Sequence, residues 1–296
     1  MKNVLLTVIM FIAGSNFVKA QDLLDLLGEE EPTTVYVKNA FKSSRVINGQ
    51  SMEMIAKGTL DFRILHRFGE LSGGAYEFFG LDAASMRLGF DYGITKNWTV
   101  GVGRSTSRKE LDAFVKYRIM QQSTGEKNHP FSLLYVGGVT CNGLEWENPD
   151  ITNYFSSRLA FYNQIIIGRK FSDRLTLQLS PTYLHRNLVD LIDEPNDLYA
   201  LGVGGRIKIT QRLALTGDYF YVFNTTDSTA INPLSIGVDI ETGGHVFQLH
   251  FSNAVGMNER AFLADTKGDW AKGEIRFGFN LSRIFQIVKE KDKEKN

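Results

Sequence analysis

Between Gly58 and Phe285 apolar side chains recur at every second position, in runs of about ten residues, and this alternation narrows the choice of fold more than any other feature. Leu60, Phe62 and Ile64 alternate with Asp61 and Arg63. Met86, Leu88, Phe90 and Tyr92 alternate with Arg87, Gly89 and Asp91. Leu111, Ala113, Val115 and Tyr117 alternate with Asp112, Phe114, Lys116 and Arg118, and Phe277, Phe279 and Leu281 with Arg276, Gly278 and Asn280. A period of two belongs to a strand with two unlike faces, which argues against a helical bundle. One face is greasy; the other carries charge and glycine.

A soluble sandwich alternates in the same way with its greasy face inward. Three features favour a membrane barrel. The runs have the length that a tilted membrane strand needs, about ten residues. Full charges stand in strand interiors, as a water-filled lumen requires. Tyr92, Trp98, Phe131, Phe171, Tyr183, Tyr219, Tyr221 and Phe223 gather near strand ends, like an aromatic girdle. The expected fold is all-β, a transmembrane antiparallel up-and-down β-barrel of about 12 strands, closed because an open edge would leave backbone groups unpaired in hydrocarbon. The strands are expected near 58–68, 85–95, 98–105, 110–120, 131–141, 157–170, 174–186, 198–209, 213–224, 233–241, 245–254 and 273–285.

The connections repeat. Ile94–Val100, Phe171–Leu177 and Ile209–Leu215 share one order: apolar, small hydroxyl, two polar positions, then apolar, small, apolar. Each reads as a tight turn. Longer connections near 69–84, 142–157, 187–197, 224–233 and 255–272 alternate with short ones, the asymmetry of barrels with periplasmic turns and extracellular loops.

The first residues read as an address. Lys2 supplies positive charge, Val4–Ala13 is apolar, and Val18-Lys19-Ala20 offers a cleavage site, so 1–20 is a signal peptide. Residues 21–57 are expected to form an N-terminal periplasmic segment, 58–285 the outer-membrane barrel, and 286–296 a charged, solvated tail. Lys and Arg together number 33, balancing 33 Asp and Glu, which leaves no excess to neutralise nucleic-acid phosphates. A single cysteine, Cys141, excludes an internal disulfide framework.

Through His66-Arg67-Phe68-Gly69, Phe79-Gly80-Leu81-Asp82 and Leu88–Ile119 the chain resembles a family of uncharacterised outer-membrane β-barrel proteins of Gram-negative bacteria, mainly Bacteroidetes, known as a domain of unknown function. The resemblance implies an outer-membrane location and carries no catalytic residue. The terminal aromatic strand, ending at Phe285, resembles the signal read by the barrel-assembly machinery during insertion.

The polar faces supply the candidate site. Arg63, Arg67, Arg87, Asp91, Lys116, Arg118, Arg158, Arg206, Lys208, Asp218, Asp239, His250 and Arg276 are expected to line the lumen. They form either an ion-paired network that plugs a narrow barrel or a basic-leaning conduit for anionic solutes. The mixed signs favour the plug. No cofactor or metal is implied, since the acidic loops Leu144–Asp150 and Asp190–Asp197 lack the glycine of a calcium loop. Those loops would reach lipopolysaccharide phosphates only through bridging calcium, and otherwise suit a protein partner. The expected role is non-enzymatic: passage or binding of a small solute, or membership of a larger membrane assembly. The alternative is a rim-sited outer-membrane lipid hydrolase, in which His66 or His185 activates Ser72 or Ser105.

Overall fold

The computed structural model describes residues 33–225, 230–243 and 245–288. The expected signal peptide, residues 1–20, and the last eight residues of the expected tail lie outside them. Twelve antiparallel strands form one closed barrel, each paired with its neighbours in sequence. They are β1 (Thr59–Glu70), β2 (Ala84–Gly93), β3 (Trp98–Ser105), β4 (Leu111–Met120), β5 (Ser132–Cys141) and β6 (Leu159–Lys170). The second half comprises β7 (Leu175–Arg186), β8 (Asp197–Lys208), β9 (Leu213–Val222), β10 (Leu234–Thr242), β11 (His245–Ser252) and β12 (Arg276–Gln286). Closure runs between β12 and β1, from Arg276 opposite Glu70 to Gln286 opposite Thr59, with one bulge between Arg276 and Gly278.

The repeated turn motif has one physical basis. The hydroxyls of Thr95, Ser172 and Thr210 each accept two backbone N–H groups of their own turn, at 3.0–3.3 Å. A small hydroxyl residue at that position therefore closes the hairpin without a left-handed residue. These short turns mark the periplasmic end and the long connections the extracellular end. One long connection, between β11 and β12, contains a helix, α1 (Glu259–Ala264), whose N-cap Asn258 accepts the Ala261 N–H at 2.9 Å.

The alternation places the greasy face outward. Phe90, Val102, Leu179, Val203, Leu215 and Phe247 are exposed on the outer wall. Aromatic residues cluster at its ends: Trp98 packs on Tyr117 at 4.4 Å and Tyr183 on Tyr199 at 5.4 Å. Val203, near the middle of β8, faces outward. A Val203→Lys substitution is expected to destabilise the folded barrel in lipid by about 2–4 kcal/mol, the cost of a cation at the bilayer midplane. Urea titration of the vesicle-embedded barrel measures it, and an unchanged midpoint would place this face away from lipid.

The inner wall is not uniformly polar. Phe114, Leu134, Val136, Tyr162, Ile166, Leu184, Leu198 and Phe220 point inward and form an apolar cluster within the barrel. Buried charges stand on β1 and β2, and Asp112, Lys116, Arg206 and Asp218 share strands with the cluster.

Candidate functional site in the lumen

Residues 21–57 were expected to lie in the periplasm, outside the barrel. The described part corrects this: after a rim contact, residues 40–55 run inside the barrel, where Ala40, Phe41, Arg45, Val46, Ile47, Asn48, Gln50, Ser51, Met52 and Ile55 are all buried. The reason is that the wall supplies polar partners for a chain that forms little secondary structure of its own. The way in lies at the short-turn end. Val35–Tyr36 pairs with Ser123–Thr124 of the turn between β4 and β5, and Val37 N–H donates to Gln122 O at 2.9 Å. The way out lies at the same end, where Gly58 N–H donates to Gly93 O at 2.8 Å.

Between these points the segment forms a hairpin. Ser51 N–H donates to Ser44 O at 2.9 Å, and Val46 N–H to Gly49 O at 2.8 Å. Its tip is held by Asp218 on β9. That carboxylate accepts the N–H groups of Ile47, Asn48 and Gly49 at 3.2, 2.7 and 2.9 Å. Gly49 is required there, because a Cβ would stand 2.6 Å from the Phe220 ring. Gln178 on β7 clamps the second arm, accepting Met52 N–H at 3.0 Å and donating to Gln50 O at 2.7 Å. Asn280 donates to Ile47 O at 3.2 Å, and Gln248 donates to Val46 O.

The expected lumen residues divide by this geometry. Lys116 donates to Ser44 O and Glu53 O at 3.1 and 2.7 Å. Arg67 donates to Asn48 Oδ1 at 2.7 Å, and Arg63 binds the hydroxyls of Ser43 and Ser44. Asp91 accepts from Ser44 Oγ at 3.1 Å and lies 3.5 Å from Arg63. Together with Asp218, these groups meet the hairpin directly. Arg87 is paired within the wall, donating through Nε to Asp112 at 2.8 Å, and Gly103 leaves room for its guanidinium. Asp239 accepts from Gln248 at 2.7 Å, and Arg206 is buried on β8, with β9 between it and the Asp239 strand. His250 is buried, and neither ring nitrogen has a protein partner.

Four candidates are rim residues instead. Arg118 binds Asn97 of a short turn at 3.3 Å, and Lys208 is the half-buried last residue of β8. Arg276 bonds to Asn253 O at 3.2 Å and to Glu70 at the loop end. Arg158 precedes β6, donates to Asn142 O at 2.8 Å, and lies over the Trp146 ring at 3.8 Å. Arg118, Lys208 and Arg276 stand at or near the ends of their strands, where the alternation still turns them inward but the wall has reached the rim, and Arg158 lies just before β6.

The hydrolase residues do not assemble. His66 stacks on Phe279 at 4.9 Å on the outer face, whereas Ser105 is buried inside the wall. Ser72 donates to Glu70 at 3.2 Å. His185 bonds to Asp197 at 2.6 Å, and the other side chain on that carboxylate is Tyr183, at 2.7 Å. Among the described residues, no group of three or more His, Cys, Asp and Glu is placed to hold a metal.

The sequence signal for the hairpin was weak. Residues 40–57 carry no period, and only their spacing from the first strand marks them. Comparison with known families decides their status: a pattern described as a membrane bound beta barrel domain (DUF5777) matches residues 41–285, hairpin included. The chain belongs to this family. The barrel is therefore a protein of the outer membrane, and the family's domain begins with the hairpin rather than with the first wall strand. Solved structures similar to this family member include the NanC porin (9% identity, 76% of this chain and 98% of that one, TM-score 0.46). The KdgM porin is similar at 9% identity, over 77% of this chain and 99% of that one, with TM-score 0.46. An outer-membrane channel from Pseudomonas putida F1 shares 12% identity over 79% of this chain and 97% of that one, with TM-score 0.44. No curated protein matches.

Proposed function

We propose that this barrel is a conduit for small solutes across the outer membrane, closed by its own hairpin at 40–55 and opened when the hairpin leaves the lumen. One observation supports this reading above the others. The hairpin enters and leaves at the same rim, and its hydrogen bonds to the wall, among the described residues, all use wall side chains. Withdrawal therefore breaks no bond of the strand ladder that closes the barrel. It also leaves Arg63, Arg67, Lys116, Asp91 and Asp218 facing water, a lining suited to hydrated solutes.

Asp218→Ala tests the latch. It leaves three hairpin N–H groups without their acceptor, at about 1–3 kcal/mol for each one left unsatisfied. In planar bilayers the full chain is expected to stay closed and the variant to show discrete openings, with unchanged heat-modifiable migration on gels. A variant as silent as the parent would remove Asp218 from the closing device.

The apolar cluster that joins Phe41, Val46 and Met52 to Leu134, Tyr162 and Phe220 supports a second reading, a permanently filled barrel serving as a membrane component of an assembly. Under that reading weakening the latch opens nothing.

A further inference from the structure

At the extracellular end a small niche is lined by Arg108, Arg158, Arg186 and Arg260, with Asp190 as its carboxylate. It shares Arg108, Arg158, Leu188 and Asp190 with a cleft of about 690 Å³ that adds Trp146 and Tyr154. We propose that the two form one binding site, in which the carboxylate or phosphate of a small anionic solute seats among the arginines and its body lies in the cleft. The proposal rests on the conduit reading, because it names the class of solute that the conduit admits.

The arginines are built in rather than scattered over a surface. Arg186 is 7% exposed and Arg260 8%. Arg260 is fixed from behind by Glu110 and by Asp265 at 2.8 Å. Arg186 bonds to Glu194 at 2.9 Å and to Pro195 O at 2.7 Å, yet its Nε is buried with no protein acceptor. Arg158 donates only to backbone oxygens, of Asn142 and Leu144, and its other neighbour is the Trp146 ring. Planar guanidinium forks match carboxylate and phosphate oxygens, and each such bond is stronger than a neutral one. The cleft has the size of a typical small-molecule site and brings apolar and aromatic surface to the body of the solute.

Asp190 shows what chemistry the niche takes. It is an exposed loop residue, and it already lies across the Arg108 fork, accepting Nη1 at 3.2 Å and a second bond from Nη2. The Arg108 hydrogen bond holds its carboxyl below the usual range, so it stays charged in neutral solution. Asp190 thus stands where the anionic head of a solute would stand, as an internal competitor that the solute displaces.

The test uses the purified full chain in detergent, with glucuronate, glucose 6-phosphate and glucose as probes at constant ionic strength. Binding is read from tryptophan fluorescence and by calorimetry. Glucuronate or glucose 6-phosphate is expected to give saturable binding, and glucose none. A preference for one charged probe identifies the head group. Arg186→Gln is expected to weaken binding about tenfold, as loss of a charge-assisted bond predicts. Asp190→Asn is expected to tighten it severalfold, because the competitor loses its charge. Binding of no charged probe into the tens of millimolar would overturn the proposal, as would equal binding of glucose. Weaker binding by Asp190→Asn would do the same, and it does not depend on the arginine variant folding. Because binding is read without conduction, a chain that binds the anions yet passes no current even when residues 33–53 are deleted would sink the conduit reading and leave this site standing.

Discussion

A mature chain lacking residues 33–53 is expected to insert as a barrel and to conduct steadily in planar bilayers, where the full chain is closed. The strand ladder survives the deletion because β1 begins at Thr59 and pairs with β12 and β2 without help from the hairpin. What disappears is the filling of the lumen: Phe41, Arg45, Val46, Ile47, Asn48 and Met52 are buried against the wall and leave together. The space they vacate is bordered by Arg63, Arg67, Lys116 and Asp218, so it takes up water rather than collapsing. Loss of the hairpin also leaves Lys116 without the two backbone oxygens that hold it. The deleted chain is therefore expected to be less stable to heat than the parent as well as more conductive. Swelling of vesicles in isotonic sugar solutions checks the size of the opening independently. A deleted barrel that folds, migrates as a barrel and still passes no current would show that the wall and α1 close the lumen unaided, and the conduit reading would fail.

The wall was legible because lipid and water enforce a strict period. In β2 the pattern Met86, Arg87, Leu88, Gly89, Phe90, Asp91 has one reading, and the structure places Arg87 and Asp91 inside. In β5, Ser132–Cys141, the alternation fades because Leu134 and Val136 face an apolar part of the lumen while Leu133 and Tyr135 face outward. That strand was located by its neighbours and its length. The hairpin was illegible for a different reason. Its backbone is satisfied by Asp218, Gln178, Gln248, Asn280 and Lys116, all more than 60 residues away in sequence, so nothing local announces its burial. The expectation of an ion-paired plug rested on wall residues alone and left out the hairpin that fills the lumen. Wall residues do pair, as Arg87 with Asp112 does, but much of the polar wall is spent on a segment that was assigned to the periplasm. The arginine niche escaped the sequence because Arg108, Arg186 and Arg260 lie in or beside three separate connections, one of them short, that only closure of the barrel brings together.

Breaking the Arg45–Glu259 pair is expected to have the largest effect of any single side-chain change inside the barrel. Arg45 lies on the hairpin from the periplasmic end and Glu259 opens α1 in an extracellular connection. The two meet at 3.0 Å, each with its side chain 1% exposed. Arg45 also donates to Asn48 O at 2.7 Å, and its Nε and Nη2 have no protein partner. Glu259→Ala leaves that guanidinium buried without its counter-charge, and Arg45→Ala does the converse. Each is expected to cost about 3–5 kcal/mol, the usual penalty for orphaning one member of a buried pair. Most of that cost falls on the contact between the two fillings, since neither residue belongs to a wall strand. The single variants should therefore conduct intermittently and expose the hairpin to protease while the wall stays heat-modifiable. Arg45→Met combined with Glu259→Leu replaces the charges by apolar groups of similar size and is expected to recover most of the lost stability, because desolvation of the ions is removed along with their attraction. If the double variant is destabilised by the sum of the single ones, the two residues act separately, and the hairpin and α1 do not brace one another.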